Sequence, residues 1–283
     1  MATFVLWRCL MQFAIVCGHL ADVDLVLEAQ VTTRHLRGKS CNAIKQCGMC
    51  ADCYTARTSH NAGKPMTEHL DAYPELKRDL RFFPLGIDDP SHLSAAQIEH
   101  YNQRGYISPV DVFDTEEISE IREYFDDLLD KALAAGWNSY ELTNWHKHCR
   151  GVWDIVTHSR ILDVVQDLLG ETMILRHSHF FCKLPHDGKR VSWHQDASYW
   201  PISPSKVVSA WLALDDVDLD NAAMHVIPGS HLNAQLPFAE STAQENNVLN
   251  QTVRDAQSYG DPVPLILQAG QMSLHSDWTL HGS

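Results

Sequence analysis

Apolar residues recur with a helical period along the middle of the chain and give way to strand-like runs after Gly170. The stretch "LSAAQIEHYNQRG" puts Ser94 where a side-chain cap is needed, Ile98 and Tyr101 on one side, and Gly105 at the stop. In "DTEEISEIREYFDDLLDKALAAG", Asp114 or Thr115 caps a second helix and acids fill its first turn. Ile118, Ile121, Phe125, Leu128 and Leu129 form its apolar stripe, closed by Gly136. "SRILDVVQDLLG" predicts a third helix ending at Gly170.

The runs that follow are "TMILRHSHFFCKL", "KVVSAWLAL", "AMHVI", "VPLIL" and "QMSLHSDWTL". They are short, rich in β-branched and aromatic residues, and bounded by Pro, Gly, Asp and Asn. Helices first and strands afterwards predict an α+β fold over residues 91–283, its strands forming a jelly roll or related barrel. Residues 1–90 hold no sustained period and are expected to be an N-terminal extension of uncertain order. Its opening, "MATFVLWRCLMQFAIVCGHLAD", is broken by Arg8 and Gln12 and is too short for a membrane span. It is also a poor secretory leader, with His19 where a small residue is preferred for cleavage. A short buried helix or a loose extension is expected there, in a cytoplasmic protein.

Charge narrows the choice of partner. Against 22 basic residues stand 36 acidic ones, a formal charge of −14. Such a field repels phosphate backbones and anionic lipid, which argues against nucleic acid and membrane surfaces and leaves a small molecule. Cys41, Cys47, Cys50 and Cys53 crowd into "CNAIKQCGMCADC", a spacing by which thiolates wrap zinc or an iron–sulfur cluster, with His60 as a further candidate ligand. The pattern is incomplete, and reduced thiols in a loose extension are the plainer expectation.

Metal chemistry has a second candidate. Among 17 histidines, three stand two residues before an aspartate: His69 with Asp71, His194 with Asp196, and His275 with Asp277. The pair at 194 lies in the strand-rich region, where residues two apart share a strand face and grip an ion from one side. A distant second histidine would complete two imidazoles and one carboxylate, a set that caps one face of an octahedral iron(II) and leaves three positions open. His281 is the candidate, but His275, Asp277, Thr279 and His281 share a face if "QMSLHSDWTLHGS" is one regular strand. Spacing leaves His275 as a competitor.

From about Leu93 onward the chain resembles the phytanoyl-CoA dioxygenase family of iron(II)- and 2-oxoglutarate-dependent oxygenases. The matching segments, in order, are "LSAAQIEHYNQRGYI", "LLGETMILRHSHFFCKLP", "WHQDASYWP", "VSAWLALDDVDLDNAAMHVIPGSH" and "LHSDWTLHGS". The resemblance implies a double-stranded β-helix, with iron(II), 2-oxoglutarate and O2 used to hydroxylate a small organic substrate. It implies His194, Asp196 and His281 as iron ligands and catalytic centre, with His275 relegated to packing or lining the pocket. Ser283 would bond the distal carboxylate of 2-oxoglutarate, and His177, His179, Lys183 and Trp211 would lie near that cosubstrate. Tyr199 and Trp200 would line the substrate entrance or pack. A carboxylate at 196, where related halogenases carry Gly or Ala, implies hydroxylation rather than halogenation.

Two departures qualify the resemblance. Asn221-Ala222 stands where relatives have Asn-Gly, which would cost about 1 kcal/mol in a turn needing positive φ. No arginine follows Ser283, where relatives carry the one that clamps the distal carboxylate. The domain is therefore expected to be C-terminally incomplete, with an unpaired strand edge and weakened cosubstrate affinity. The alternative reading is a metal-binding domain without catalysis.

Overall fold

The computed structural model describes residues 8–17 and 68–283; the cysteine cluster at 41–53 and His60 lie outside them. The expected helices form. Helix α1 (Ala95–Arg104) is opened by a capping box between Ser94 and Gln97 and ended by Gly105 in the left-handed region. That glycine is also pressed close: a β-carbon there would lie 2.4 Å from the Thr279 hydroxyl. Helix α2 (Thr115–Ala134) takes Asp114 rather than Thr115 as its cap, reciprocated by Glu117. Two further helices, α3 (Arg150–Val156) and α4 (Ser159–Leu169), follow. Only α4 has the periodicity to show in sequence, because the pattern of α3 is too short to repeat.

The helices pack on one face of a five-stranded antiparallel sheet. Its strands are β1 (Arg8–Cys17), β3 (Tyr106–Asp111), β4 (Met173–Lys183), β5 (Val207–Ala213) and β10 (Gln271–Ser276), in the order β3-β10-β5-β1-β4. Opposite lies a sheet of β6 (His225–Val226), β9 (Val263–Pro264) and β11 (His281–Gly282), ordered β11-β6-β9. A third small sheet joins β2 (Glu68–His69), β7 (Phe238–Glu240) and β8 (Gln251–Thr252). This is the expected jelly-roll core with helices before it. Among the described residues, no helix is long and apolar enough to cross a membrane.

The N-terminal expectation is corrected. Residues 8–17 are neither helix nor loose extension but a strand paired on both sides, Gln12 lying opposite His179 of β4 and Trp211 of β5. Met11, Phe13 and Ile15 point into the core beneath the helices, while Leu10, Gln12 and Ala14 point into the barrel. A strand buried on both faces reads as a continuous apolar run, so its period cannot announce it. Residues 68–80 also join the barrel rather than a separate extension. Arg78 pairs with Asp71 and donates to the Trp200 carbonyl at 2.9 Å, while the Tyr73 hydroxyl donates to the Tyr199 carbonyl at 2.8 Å.

A second correction concerns the final stretch. "QMSLHSDWTLHGS" is not one regular strand: β10 ends at Ser276, and a turn closed by the Thr279 amide on the Ser276 carbonyl (2.9 Å) carries the chain across to β11. His275 therefore stands in one sheet and His281 in the other. Ala222 adopts φ 65° and ψ 49°, so the turn keeps its left-handed residue without the glycine that suits it. The cost is about 1–2 kcal/mol and is confined to that loop.

Candidate functional site

His194, Asp196 and His281 converge inside the barrel from three different settings. His194 forms an isolated antiparallel bridge with His281, its amide donating to the His281 carbonyl at 2.9 Å. Asp196 opens a single 3-10 turn (Asp196–Tyr199), so the pair at 194 and 196 does not lie on a regular strand as expected. One donor atom from each of the three residues lies within 4.8 Å of the others, and all three side chains are buried.

Hydrogen bonding fixes which atoms face the common point. Nδ1 of His194 meets the Ser192 carbonyl at 2.7 Å, and Nδ1 of His281 meets the Thr279 carbonyl at 2.9 Å. A carbonyl only accepts, so each Nδ1 carries a hydrogen, and Nε2 is the nitrogen turned toward the common point. These Nε2 atoms lie 3.5 Å and 3.7 Å from Oδ1 of Asp196. The other oxygen, Oδ2, is occupied: Gln12 Nε2 donates to it at 2.8 Å and the Ser209 hydroxyl at 2.6 Å. Two imidazole nitrogens and one free carboxylate oxygen, gathered around one point, fit a divalent transition metal.

Electrostatics agree. Burial, together with His194 beside it, holds the His281 imidazole well below its ordinary value, so it stays neutral. Burial pushes the Asp196 carboxyl upward, yet within the cluster it is held well below its ordinary range. His275 is fully buried and approaches Asp196 from the far side, 3.6 Å from the occupied Oδ2 rather than from Oδ1. Neither of its ring nitrogens has a hydrogen-bond partner among the described residues.

A partly open cleft runs from His194 and His281 to Lys183 and Ser283. Trp211, Met224 and Leu10 form apolar walls, and the Lys183 ammonium donates to the Ser283 hydroxyl at 2.9 Å at the far end. Burial lowers the Lys183 pKa to about 8, which Asp187 partly opposes. His177 and His179 do not line this cleft. His179 Nε2 meets the Tyr140 carbonyl at 2.7 Å, and His177 lies beside Trp200, with ring centroids 6.4 Å apart. Burial lowers the pKa of His177 to about 3 and that of His179 to about 4. Gln12 and Ser209 were not anticipated. A lone amide inside "LMQFAIV" was the available signal for Gln12, since a polar group in an apolar run needs a buried partner.

Residues 101–283 match the family model for phytanoyl-CoA dioxygenase. The chain belongs to the phytanoyl-CoA dioxygenase family. It is thereby an oxidoreductase of the iron(II)- and 2-oxoglutarate-dependent dioxygenase class, with O2 as the second cosubstrate. It is 26% identical over 222 residues to a probable phytanoyl-CoA dioxygenase of Caenorhabditis elegans, covering 68% of this chain and 70% of the relative. It is 28% identical over 132 residues to the peroxisomal phytanoyl-CoA dioxygenase of Bos taurus, covering 45% of this chain but only 39% of the bovine protein. The crystal structure of EctD from S. alaskensis with 2-oxoglutarate and 5-hydroxyectoine shares the fold at a TM-score of 0.59 and 21% identity, covering 73% of this chain and 76% of that one.

Proposed function

We propose that the protein hydroxylates a small organic molecule, with His194, Asp196 and His281 holding one iron(II) and the cleft toward Lys183 holding 2-oxoglutarate. One observation carries this reading: the buried His–Asp–His cluster opens into a cleft whose far end presents an ammonium and a hydroxyl. A dicarboxylate needs that pairing, metal at one end and a charge-assisted donor at the other. Iron, when bound, supplies the oxidising chemistry; the chain holds the ligands, walls off water and places the substrate carbon.

Each residue then has a role. His194 and His281 present Nε2 with the tautomer fixed from behind, and Asp196 presents Oδ1. Asp196 fills the position a halide would need, which supports hydroxylation over halogenation. Lys183 and Ser283 receive the distal carboxylate, and Trp211 closes the cleft wall. His177, Tyr199 and Trp200, on the other side of the cluster, form the substrate approach. A charge of −14 supports a small-molecule partner over a polyanion.

The test is release of succinate from 2-oxoglutarate, screened against small organic substrates with iron(II) present. Turnover that depends on both metal and substrate supports the reading. Metal binding without any 2-oxoglutarate consumption would replace it with a non-catalytic metal-binding domain.

A further inference from the structure

The region matched to the family begins at residue 101, yet one direct hydrogen bond to the candidate metal ligand set comes from residue 12. Gln12 is 7% exposed and donates from Nε2 to Asp196 Oδ2 across 184 positions of sequence. Its strand leaves little freedom to do otherwise. On the opposite face Met11 and Phe13 are fully buried in the helix-side core, and β1 is paired along both edges. A slip of one residue would drive the amide into that core and turn Phe13 toward the metal ligands.

Asp196 has two oxygens with different surroundings. Oδ2 takes hydrogen bonds from Gln12 and Ser209, whereas Oδ1 alone faces the two Nε2 atoms. A carboxylate free to rotate would chelate a metal through both oxygens and take one of the positions the chemistry requires open. An amide suits the task because it donates without ionising, so it neither repels the carboxylate nor ligates the metal through its nitrogen.

We propose that Gln12 is a positioning residue for the metal carboxylate: it holds Asp196 by Oδ2, so that Oδ1 alone is offered to the ion. This rests on the metal reading above and extends it to a strand outside the family match. The first described residues of the chain are thus part of the catalytic centre rather than an appendage to it.

The experiment titrates Co(II) into the full chain without oxygen and records its visible absorption, for wild type, Gln12→Leu, Phe13→Leu and His281→Ala. Gln12→Leu is expected to weaken Co(II) binding about tenfold to hundredfold and to alter the absorption bands, as loss of a partner behind a metal ligand does. Phe13→Leu removes volume from the other face of β1, and should lower the melting temperature while leaving Co(II) affinity within about twofold. Gln12→Leu binding within about twofold of wild type, with an unchanged spectrum, overturns the proposal. So does an equal loss in Phe13→Leu, since general damage to β1 would then explain both. If wild type binds no Co(II), or His281→Ala binds as well as wild type, the metal reading itself fails and this inference with it.

Discussion

Asp277 is a buried acid that the proposed chemistry does not use, and replacing it with asparagine should stabilise the protein above neutral pH. The side chain is 1% exposed. Burial raises its pKa from 3.8 to about 7; the Ser205 hydroxyl bound to Oδ2 opposes the rise, and the Asp196 charge adds to it. The folded state therefore keeps the proton between about pH 4 and pH 7, where the unfolded chain has already released it. Stability is fullest below pH 4, falls as pH rises through that window, and levels off above 7. The separation of the two pKa values corresponds to about 4 kcal/mol. That is a large share of the ~5–15 kcal/mol that holds a domain together. The asparagine side chain keeps the shape and an acceptor for Ser205 but has nothing to ionise, so the penalty disappears. Thermal melts from pH 4 to 8, with chelator present, should show Asp277→Asn gaining on wild type by on the order of 10 °C across the series. A constant difference between the two proteins at every pH would refute the assignment of the buried proton to Asp277.

The other expectations concern the site. Lys183→Met should raise the dissociation constant of 2-oxoglutarate about tenfold to hundredfold, the value of a charged hydrogen bond. In wild type that affinity should fall as pH rises through about 8, where Lys183 loses its proton; calorimetry from pH 6.5 to 9 checks both. His275→Ala should retain most Co(II) affinity, because His275 meets the already occupied oxygen of Asp196. Loss as complete as in His281→Ala would make His275 a ligand.

The helices and most strands were legible because each has one buried face. Ile118, Phe125, Leu128 and Leu129 spell out that face of α2, and its cap acids and closing glycine bracket it. Strand β1 was not legible for the opposite reason: Met11 and Phe13 are buried on one side and Leu10 and Ala14 lie against the barrel on the other. The break at 277–279 carries no glycine or proline, so nothing local marks the point where the chain leaves one sheet for the other. His194 and Asp196 could be nominated from spacing alone. Choosing between His275 and His281 needed that break, and the resemblance stood in for it. Gln12 could not be placed at all without knowing which strands its own strand joins.

The central place of β1 sets an order of events during synthesis. Residues 8–17 are made long before their partners, β4 at 173–183 and β5 at 207–213. At roughly 5–20 residues per second, this strand waits some ten seconds or more on the ribosome before either neighbour exists. Meanwhile "LMQFAIV" is an apolar segment without charge or proline, the kind that pairs with copies of itself. The nascent chain can bury its helices and the 271–276 strand only after this delay, so the five-stranded sheet closes late and from both ends of the sequence at once. Yield on expression should accordingly depend on chaperones that hold the first strand, more than on the stability of the finished barrel.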